Sequence, residues 1–597
     1  MRLYVAVVLC LFILGFAQSM TLDYQMYTTV DTQRAQTLDV YVYLYPQSIA
    51  HNTVLWSSKE AQGDRLHFTW TYPQQYVEVR HDAQIQSALA FPRIHAESFP
   101  LQTVPDHLNL YTQPSDLIDI TPDIIRKANE LIVGIDDAFE VVHTLATWVE
   151  QNVEYSLDTI AAQATMPASW VLEQRTGVCD ELTVLFIAMA RSVGIPARYV
   201  SGIAYTTSDL FEQPWGNHAW AQVYLPQSGW IPVDVTYKQI GYVDATHIIL
   251  AQARSPTEVQ TQYTWLGAQA IQPQALTFSV EVVEQQSLRD SPIQLSIQHM
   301  PDTGFESYYP ITVMLQNTID TYMSVPLQLV VPQQIDIVMQ PYYVLLKPQQ
   351  QKEVTFWVYI PTLEQGYTYT FPFGIYTPFS NTTQAFIAHP GGSRITTLEQ
   401  SSSSRQGYLA YSVACAYPPW VWNNTEVQVS CTLQNKGTRA VEQPFCINDK
   451  CTSFVSIGQQ VTLQHMVSTQ KENIMRVGDN ISAFTWQVLP KADIHIAPVT
   501  THTVRWKEKL SIPLSVQGYA QDIQLSLARR TYSIEQIAGQ MITHLEVDTT
   551  QLRPGEHTYT LHVMFADPFE RYITEVPITI IVQDAPWYAF VYRWFGL

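Results

Sequence analysis

Charge is scarce in this chain: only 14% of its 597 residues are Asp, Glu, Lys or Arg. The scarcer sign is positive, with 32 Lys and Arg against 53 Asp and Glu, for a formal net charge of −21. That balance argues against nucleic acid and against anionic lipid as polyelectrolyte partners, because both recruit an excess of cations; solubility alone accounts for it. Past residue 16 no apolar stretch reaches the about 20 residues needed to span a bilayer. The chain has no HExxH and no clustered His pair, which disfavours a zinc enzyme, and no metal or cofactor is expected. Cysteine is also rare, at six residues.

What is abundant points to β structure. Aromatics make up 12% of the chain and proline 35 positions, a composition suited to β-sandwich modules and extended linkers. The length implies about four domains. The N-terminus reads as an export signal, residues 1–19: Arg2 supplies charge, Leu3 to Phe16 form the apolar run, and Ala17-Gln18-Ser19 is a small-x-small cleavage site. An uncleaved anchor is the alternative. Either way the expected location is secreted or cell surface. The last segment, 586–597, is rich in Trp, Tyr and Phe and is a candidate for membrane-surface or envelope association, with a partner groove or docking on the last domain as alternatives.

Six cysteines divide by position. Cys10 lies in the signal, Cys179 stands alone, and Cys415, Cys431, Cys446 and Cys451 cluster. In an exported chain an even cluster is a disulfide framework; the favoured pairing is Cys446–Cys451 and Cys415–Cys431. A zinc site is the rival, without a His to support it. Asn381, Asn423 and Asn480 each open an N-x-Ser/Thr sequon, so each is a glycosylation candidate.

Along the chain, residues 20–98 alternate in strand style, as in Leu38 to Leu44 and Leu66 to Trp70, and form a small β domain. Thr121-Pro122-Asp123 opens a capped helix, Asp137 to Gln151 is a second, and Pro167 to Gln174 a short third. Residues 99–275 therefore form an α+β core. Helical signals then nearly vanish. Residues 276–392, 406–491 and 492–585 read as about three antiparallel, immunoglobulin-like β-sandwiches, with a Gly- and Ser-rich linker at 393–405. The middle block also resembles adhesion-type modules of microbial surface proteins.

The chemistry is concentrated in residues 175–202, RTGVCDELTVLFIAMARSVGIPARYVSG, and 216–237, GNHAWAQVYLPQSGWIPVDVTY. After Gly177-Val178 the spacing turns helical, with Leu182, Leu185, Phe186, Met189 and Ala190 on one stripe, and Gly177 permits a sharp entry. Cys179 then sits at a helix N-terminus, where the dipole favours a thiolate. Gly194 and Pro196 end the helix. Ala219 to Leu225 and Trp230 to Val235 read as two strands joined by a Pro-Gln-Ser-Gly turn. In that antiparallel hairpin Asp234 returns beside His218. Taken singly, a Cys is usually a buried hydrophobe and a His before a strand a structural residue; an Asp within a strand is the odd one, and together the three form a nucleophile, base and orienter.

These residues resemble the core of the transglutaminase-like superfamily, which is similar to papain-type thiol proteases. The carrying motifs are G-V-C-D, A-R-S-V-G-I-P-A-R-Y-V-S-G, N-H-A-W-A-Q-V-Y and G-W-I-P-V-D, over about residues 100 to 250. The resemblance is nearest the bacterial and archaeal branch; animal transglutaminases carry Gln-Cys-Trp at the nucleophile, so calcium-dependent crosslinking is not carried over. It implies Cys179 as nucleophile, His218 as base and acid, and Asp234 as the group that holds the imidazole. Gln174 and Trp170 are candidate side-chain donors to an oxyanion, and Trp215, Trp220 and Trp230 candidate cleft walls, with aromatic packing in the core the favoured role for at least two of the three. The expected function is an exported cysteine enzyme acting on amide bonds of a protein or peptide substrate. The alternative is a surface adhesion or scaffold protein whose papain-like core only binds peptide.

Overall fold

The computed structural model describes residues 17–49, 51–157, 165–208, 211, 213–288, 290–300, 302–397, 407–489, 491–497, 501–567 and 570–585. The apolar leader before residue 17 and the aromatic tail 586–597 lie outside the described residues, as does most of the Ser-rich linker. The chain divides into two compact units, one of residues 1–413, 433–442 and 453–461, the other of 414–432, 443–452 and 462–597. It is mostly β, with a helical core between β domains. None of the described helices is long and apolar enough to cross a membrane.

The N-terminal β domain holds β1 (Ala17–Asp31), β2 (Thr37–Val42), β3 (Asn52–Ser57), β4 (Leu66–Thr71) and β5 (Tyr76–Ala88). Alternation sets its core: Leu38, Val40 and Val42 are buried while the residues between them are half-exposed, the period-two signature of a one-sided strand.

The core begins with α1 (Pro122–Ile132) and α2 (Ala138–Asn152). Both start at side-chain caps: Thr121 accepts from the Ile124 N–H and Asp137 from the Glu140 N–H, which satisfies donors that a helix start leaves unpaired. Two short strands, β6 (Glu154–Tyr155) and β7 (Thr176–Gly177), pair in parallel around α3 (Ala168–Gln174) and lead into α4 (Cys179–Ser192). Gly177 departs from the expectation. It is absent from the glycines with positive φ, and a Cβ there would lie 2.3 Å from the Glu181 Cβ, so close packing rather than a sharp turn requires glycine.

Five antiparallel strands follow, β8 (Ala197–Tyr205), β9 (Trp215–Leu225), β10 (Gly229–Asp234), β11 (Gln239–Ile240) and β12 (Ile248–Ala253), in the spatial order β11-β10-β9-β8-β12. The expected apolar stripe of α4 is buried, but so is every residue from Glu181 to Ser192. Helix α4 packs with residues of α1, α2 and α3 and with Ala219, Ala221 and Val223 of β9 in one core cluster, so it is central rather than amphipathic. Fully buried Arg191 fastens its end, donating to the carbonyls of Ala197, Gln113 and Arg254 at 2.7–3.0 Å.

Three later strands return to the N-terminal domain: β13 (Gln262–Leu266) pairs with β2, and β14 (Gln272–Pro273) and β15 (Thr277–Ser287) pair with β1. The expected boundaries at residues 98 and 275 thus cut through a sheet built from distant segments. Alternation tells which face a strand buries, not which strand lies beside it.

Residues 293–388 form two four-stranded sheets, with Ile311, Val313, Phe356, Phe373 and Phe386 in a shared core, as in a sandwich. In the second unit Cys446 lies opposite Cys451 in a hairpin and is bonded to it. Cys415 is bonded to Cys431, so both disulfides follow the favoured pairing and leave Cys179 as the free thiol among the described residues. The final sheet is built on a hairpin of two 18-residue strands, Leu510–Leu527 and Arg530–Val547. Asn381, Asn423 and Asn480 are all exposed.

Two outcomes test this architecture. Gly202 of β8 lies opposite His218, and a Cβ on it would come 2.2 Å from the Ile248 carbonyl oxygen and 2.5 Å from Trp220. Gly202→Ala is expected to lower stability by about 1–3 kcal/mol through overpacking, read from the urea midpoint; an unchanged midpoint contradicts the packing. Burial lowers the imidazoles of His51 to about 4 and His143 to about 3. Both lie below the ordinary value near 6.5, so the unfolded chain binds more protons in between, and stability is lost as pH falls below about 6.5. The urea midpoint should therefore drop from pH 7 to pH 5, and drop less in His143→Phe.

Candidate active site

Cys179 is the first residue of α4, and the turn that presents it is held by carboxylates. Glu181 accepts from the backbone N–H of Val178 at 2.9 Å and of Met166 at 3.0 Å. Asp180 accepts from the Tyr199 hydroxyl at 2.9 Å and the Thr165 hydroxyl at 3.1 Å. Acidic groups suit a helix N-terminus, but here they surround a thiol. The Cys179 side chain is half-buried, its Sγ lies 3.9 Å from Asp180 Oδ1, and it accepts from the Ala219 backbone N–H. Burial pushes the thiol well above its ordinary value, Asp180 adds to this, and only the Ala219 N–H opposes it. The sequence expectation of a thiolate favoured by the helix dipole is thus reversed: desolvation and neighbouring carboxylates outweigh the dipole.

The hairpin of β9 and β10 carries Asp234 back towards His218, with Val233 paired to Ala221 and Asp234 one step beyond. His218 Nε2 and Asp234 Oδ2 are 2.6 Å apart. Asp234 is fully buried and His218 nearly so. With Nε2 committed to the carboxylate, Nδ1 is the ring nitrogen available for proton transfer. The ring stacks on Trp220 at 5.8 Å and meets the edge of Tyr237 at 4.6 Å. The Ala219 amide on the sulfur puts the thiol one residue from His218 along β9.

Burial alone would raise the Asp234 carboxyl, but His218 and then His247 outweigh it and hold it far below the usual carboxylate range. His247 is the residue that sequence reasoning missed. Its Nε2 lies 3.0 Å from the same Asp234 Oδ2, and its Nδ1 lies 2.9 Å from Asp244 Oδ1. Burial lowers this imidazole, yet the two carboxylates push it up to about 9. The signal was local: Asp244 and His247, three apart, follow closely on the β10–β11 turn.

Gln174 ends α3 as an exposed residue and Trp170 packs half-buried against the helical core. Trp220 is fully buried behind His218, in the core-packing role favoured for at least two of the three tryptophans. Trp230 lies under the Arg198 guanidinium at 4.0 Å. Trp215, just ahead of His218 on β9, does line a cavity of about 230 Å³, with Asn217, Ile203, Leu276 and Phe278. The donor atoms of His218, Asp234 and His247 lie within 4.8 Å of one another, a spacing open to a metal ion. Both Nε2 atoms, however, stand at hydrogen-bond distance from one carboxylate oxygen. A nitrogen donating a proton there has no lone pair for a metal.

A family model described as the transglutaminase-like superfamily matches residues 125–235. An uncharacterised protein of Bacillus subtilis is 27% identical over 139 residues, 20% of this chain and 18% of its own length. A protein-glutamine gamma-glutamyltransferase of Pseudomonas aeruginosa is 32% identical over 93 residues, 14% of this chain and 13% of its own. An uncharacterised protein of Mycobacterium tuberculosis is 35% identical over 128 residues, 20% of this chain and 40% of its own. The chain thus spans less than half the length of these relatives. Among solved structures, a candidate cysteine protease from Cytophaga hutchinsonii aligns with a TM-score of 0.36 and 16% identity, covering 46% of this chain and 94% of that one. Residues 125–235 of this chain are a transglutaminase-like core.

Proposed function

We propose that this chain is an exported cysteine acyltransferase or hydrolase acting on amide bonds of proteins or peptides, with Cys179, His218 and Asp234 as nucleophile, base and orienter. The supporting observation is the Cys179 sulfur at the Ala219 amide, beside a His218 whose Nε2 is held 2.6 Å from Asp234. Because burial and Asp180 keep the proton on sulfur, the thiol is activated at the moment of attack. His218 Nδ1 takes the proton as sulfur bonds to the amide carbon and the carbonyl π pair moves to oxygen. The Cys179 backbone N–H and a side-chain donor, Gln174 or Trp170, stabilise that oxyanion. Collapse expels the amine, which takes the proton from Nδ1 and leaves a thioester. Water or a lysine amine then attacks, gives its proton to His218, and collapse returns the thiol. Asp234 keeps one tautomer throughout. Two disulfides fit an oxidising compartment, which supports export.

The Pseudomonas relative's name supports a glutamine side chain as acyl donor. A second reading, a peptide-binding scaffold, draws on the β modules beyond residue 293, where no free cysteine stands among the described residues.

Cys179→Ala should lower turnover of a peptide-amide panel by about a thousandfold or more, with ammonia or peptide release marking hydrolysis and amine incorporation marking transfer. Equal activity of variant and wild type overturns the enzyme reading in favour of the scaffold. The rate of Cys179 alkylation by iodoacetamide should keep rising with pH past about 8.5, as expected for a thiol with a raised pKa; a plateau already reached at pH 6 refutes the resting thiol.

A further inference from the structure

The Asp234 carboxylate carries one imidazole more than a nucleophile–base–orienter set requires. His218 and His247 both aim Nε2 at Oδ2, at 2.6 and 3.0 Å, while the Tyr237 N–H holds Oδ1 at 2.8 Å. His247 is itself fixed from behind. Its Nδ1 meets Asp244 Oδ1, and Asp244 is held by the Gln239 amide at 2.7 Å and by the Thr246 backbone N–H at 2.8 Å. Its carbonyl oxygen accepts three donors from the N-terminal β domain: His51 Nε2 at 2.8 Å, Asn52 Nδ2 at 3.1 Å and Ser87 Oγ at 3.2 Å. Asn52 Oδ1 also accepts from the Ile249 N–H at 2.8 Å, two residues on. A fold that needed only to fill this space had apolar side chains available. Instead it buries Asp234 and His247 completely and Asp244 almost so, an arrangement that is costly unless every charge is paired.

We propose that His247, backed by Asp244 and strapped in place by His51, Asn52 and Ser87 of the N-terminal β domain, is a positioning residue that fixes the Asp234 carboxylate and sets the protonation of His218. This rests on the enzyme reading above. Charge balance within the buried set gives His247 this role. With both carboxylates ionised and His247 protonated, the buried set carries one net negative charge when His218 is neutral and none when it is protonated. His247 thus gives Asp234 a positively charged partner of its own, and the same carboxylate oxygen orients His218 by a hydrogen bond. Removing the charge on His247 leaves Asp234 uncompensated, and the imidazolium form of His218 persists to higher pH. The titratable groups facing His247 are Asp234 and Asp244 by hydrogen bond, His218 and Tyr237 by ring contact at 5.7 and 5.1 Å, and His51 at its carbonyl.

Alkylation of Cys179 tests this without turnover. On the full chain, the iodoacetamide rate is measured against pH by mass spectrometry, and the inflection that His218→Ala removes is assigned to His218. In His247→Gln, which keeps an amide donor but no charge, that inflection should move to higher pH by about one unit, roughly tenfold in the proton concentration at which it falls. Asp244→Asn, which removes the carboxylate that sustains the proton on His247, should move it the same way. A structural role alone would lower the unfolding temperature and leave the inflection in place. If it stays within roughly 0.3 units in whichever variant melts cooperatively, the proposal is overturned. Should the chain lack Cys179-dependent turnover, the enzyme reading fails separately, since the alkylation profile still reports whether His247 governs His218.

Discussion

The hydrogen bond between His218 and Asp234 is the interaction on which the rest of the site depends. A carboxylate taken wholly out of water would normally surrender its charge. Asp234 keeps it because two imidazoles and one backbone amide converge on its oxygens. Breaking such a set by removing one partner leaves an uncompensated buried charge, which costs far more than the net worth of the pair. That asymmetry explains why so much of the surrounding architecture is devoted to holding the partners still.

The support extends well past the helix and hairpin that carry the chemistry. Arg191 joins the end of the Cys helix to the start of β8 and to the loops at Gln113 and Arg254. Trp220 backs the His218 ring, and Gly202 on the neighbouring strand leaves room for that indole. From the N-terminal β domain, His51, Asn52 and Ser87 reach the His247 carbonyl. That domain is in turn closed by β13 to β15, which come after the core in the chain. The N-terminal β strands and the core are therefore one mechanical piece around the site, although the chain presents them as successive segments.

The same burial that sharpens the carboxylate and imidazole works against the thiol. Three carboxylates near the helix start, at Asp180, Glu181 and Asp234, repel a thiolate, and desolvation adds to them. Helix-dipole reasoning from sequence captured one favourable contribution and missed these larger opposing ones. Asp180 and Glu181 were in view as the residues after Cys179, but their folded positions, tied to Tyr199, Thr165 and two backbone amides, decide where their charge acts. Gly177 is a similar case: its need for glycine arises from the Glu181 side chain, a neighbour only once the helix has formed.

Much of the site was legible because its parts are local. A Cys opening a helix, a His entering a strand and an Asp closing the next one each sit in a pattern a few residues long, and a tight antiparallel hairpin has one way to bring strand ends together. The helix cap at Thr121 and the paired cysteines near residues 415 to 451 were readable for the same reason. The straps from His51 and Asn52 and the strands that complete the first sheet were not, because their partners lie far along the chain; His247 and Asp244 are near in sequence, but no strand or helix pattern marks them as partners of Asp234. Residue type and periodicity determine what each segment is able to form. Which distant segment comes to lie beside it, and how strongly the resulting burial shifts each titrating group, is decided only when the chain has packed and water has been excluded.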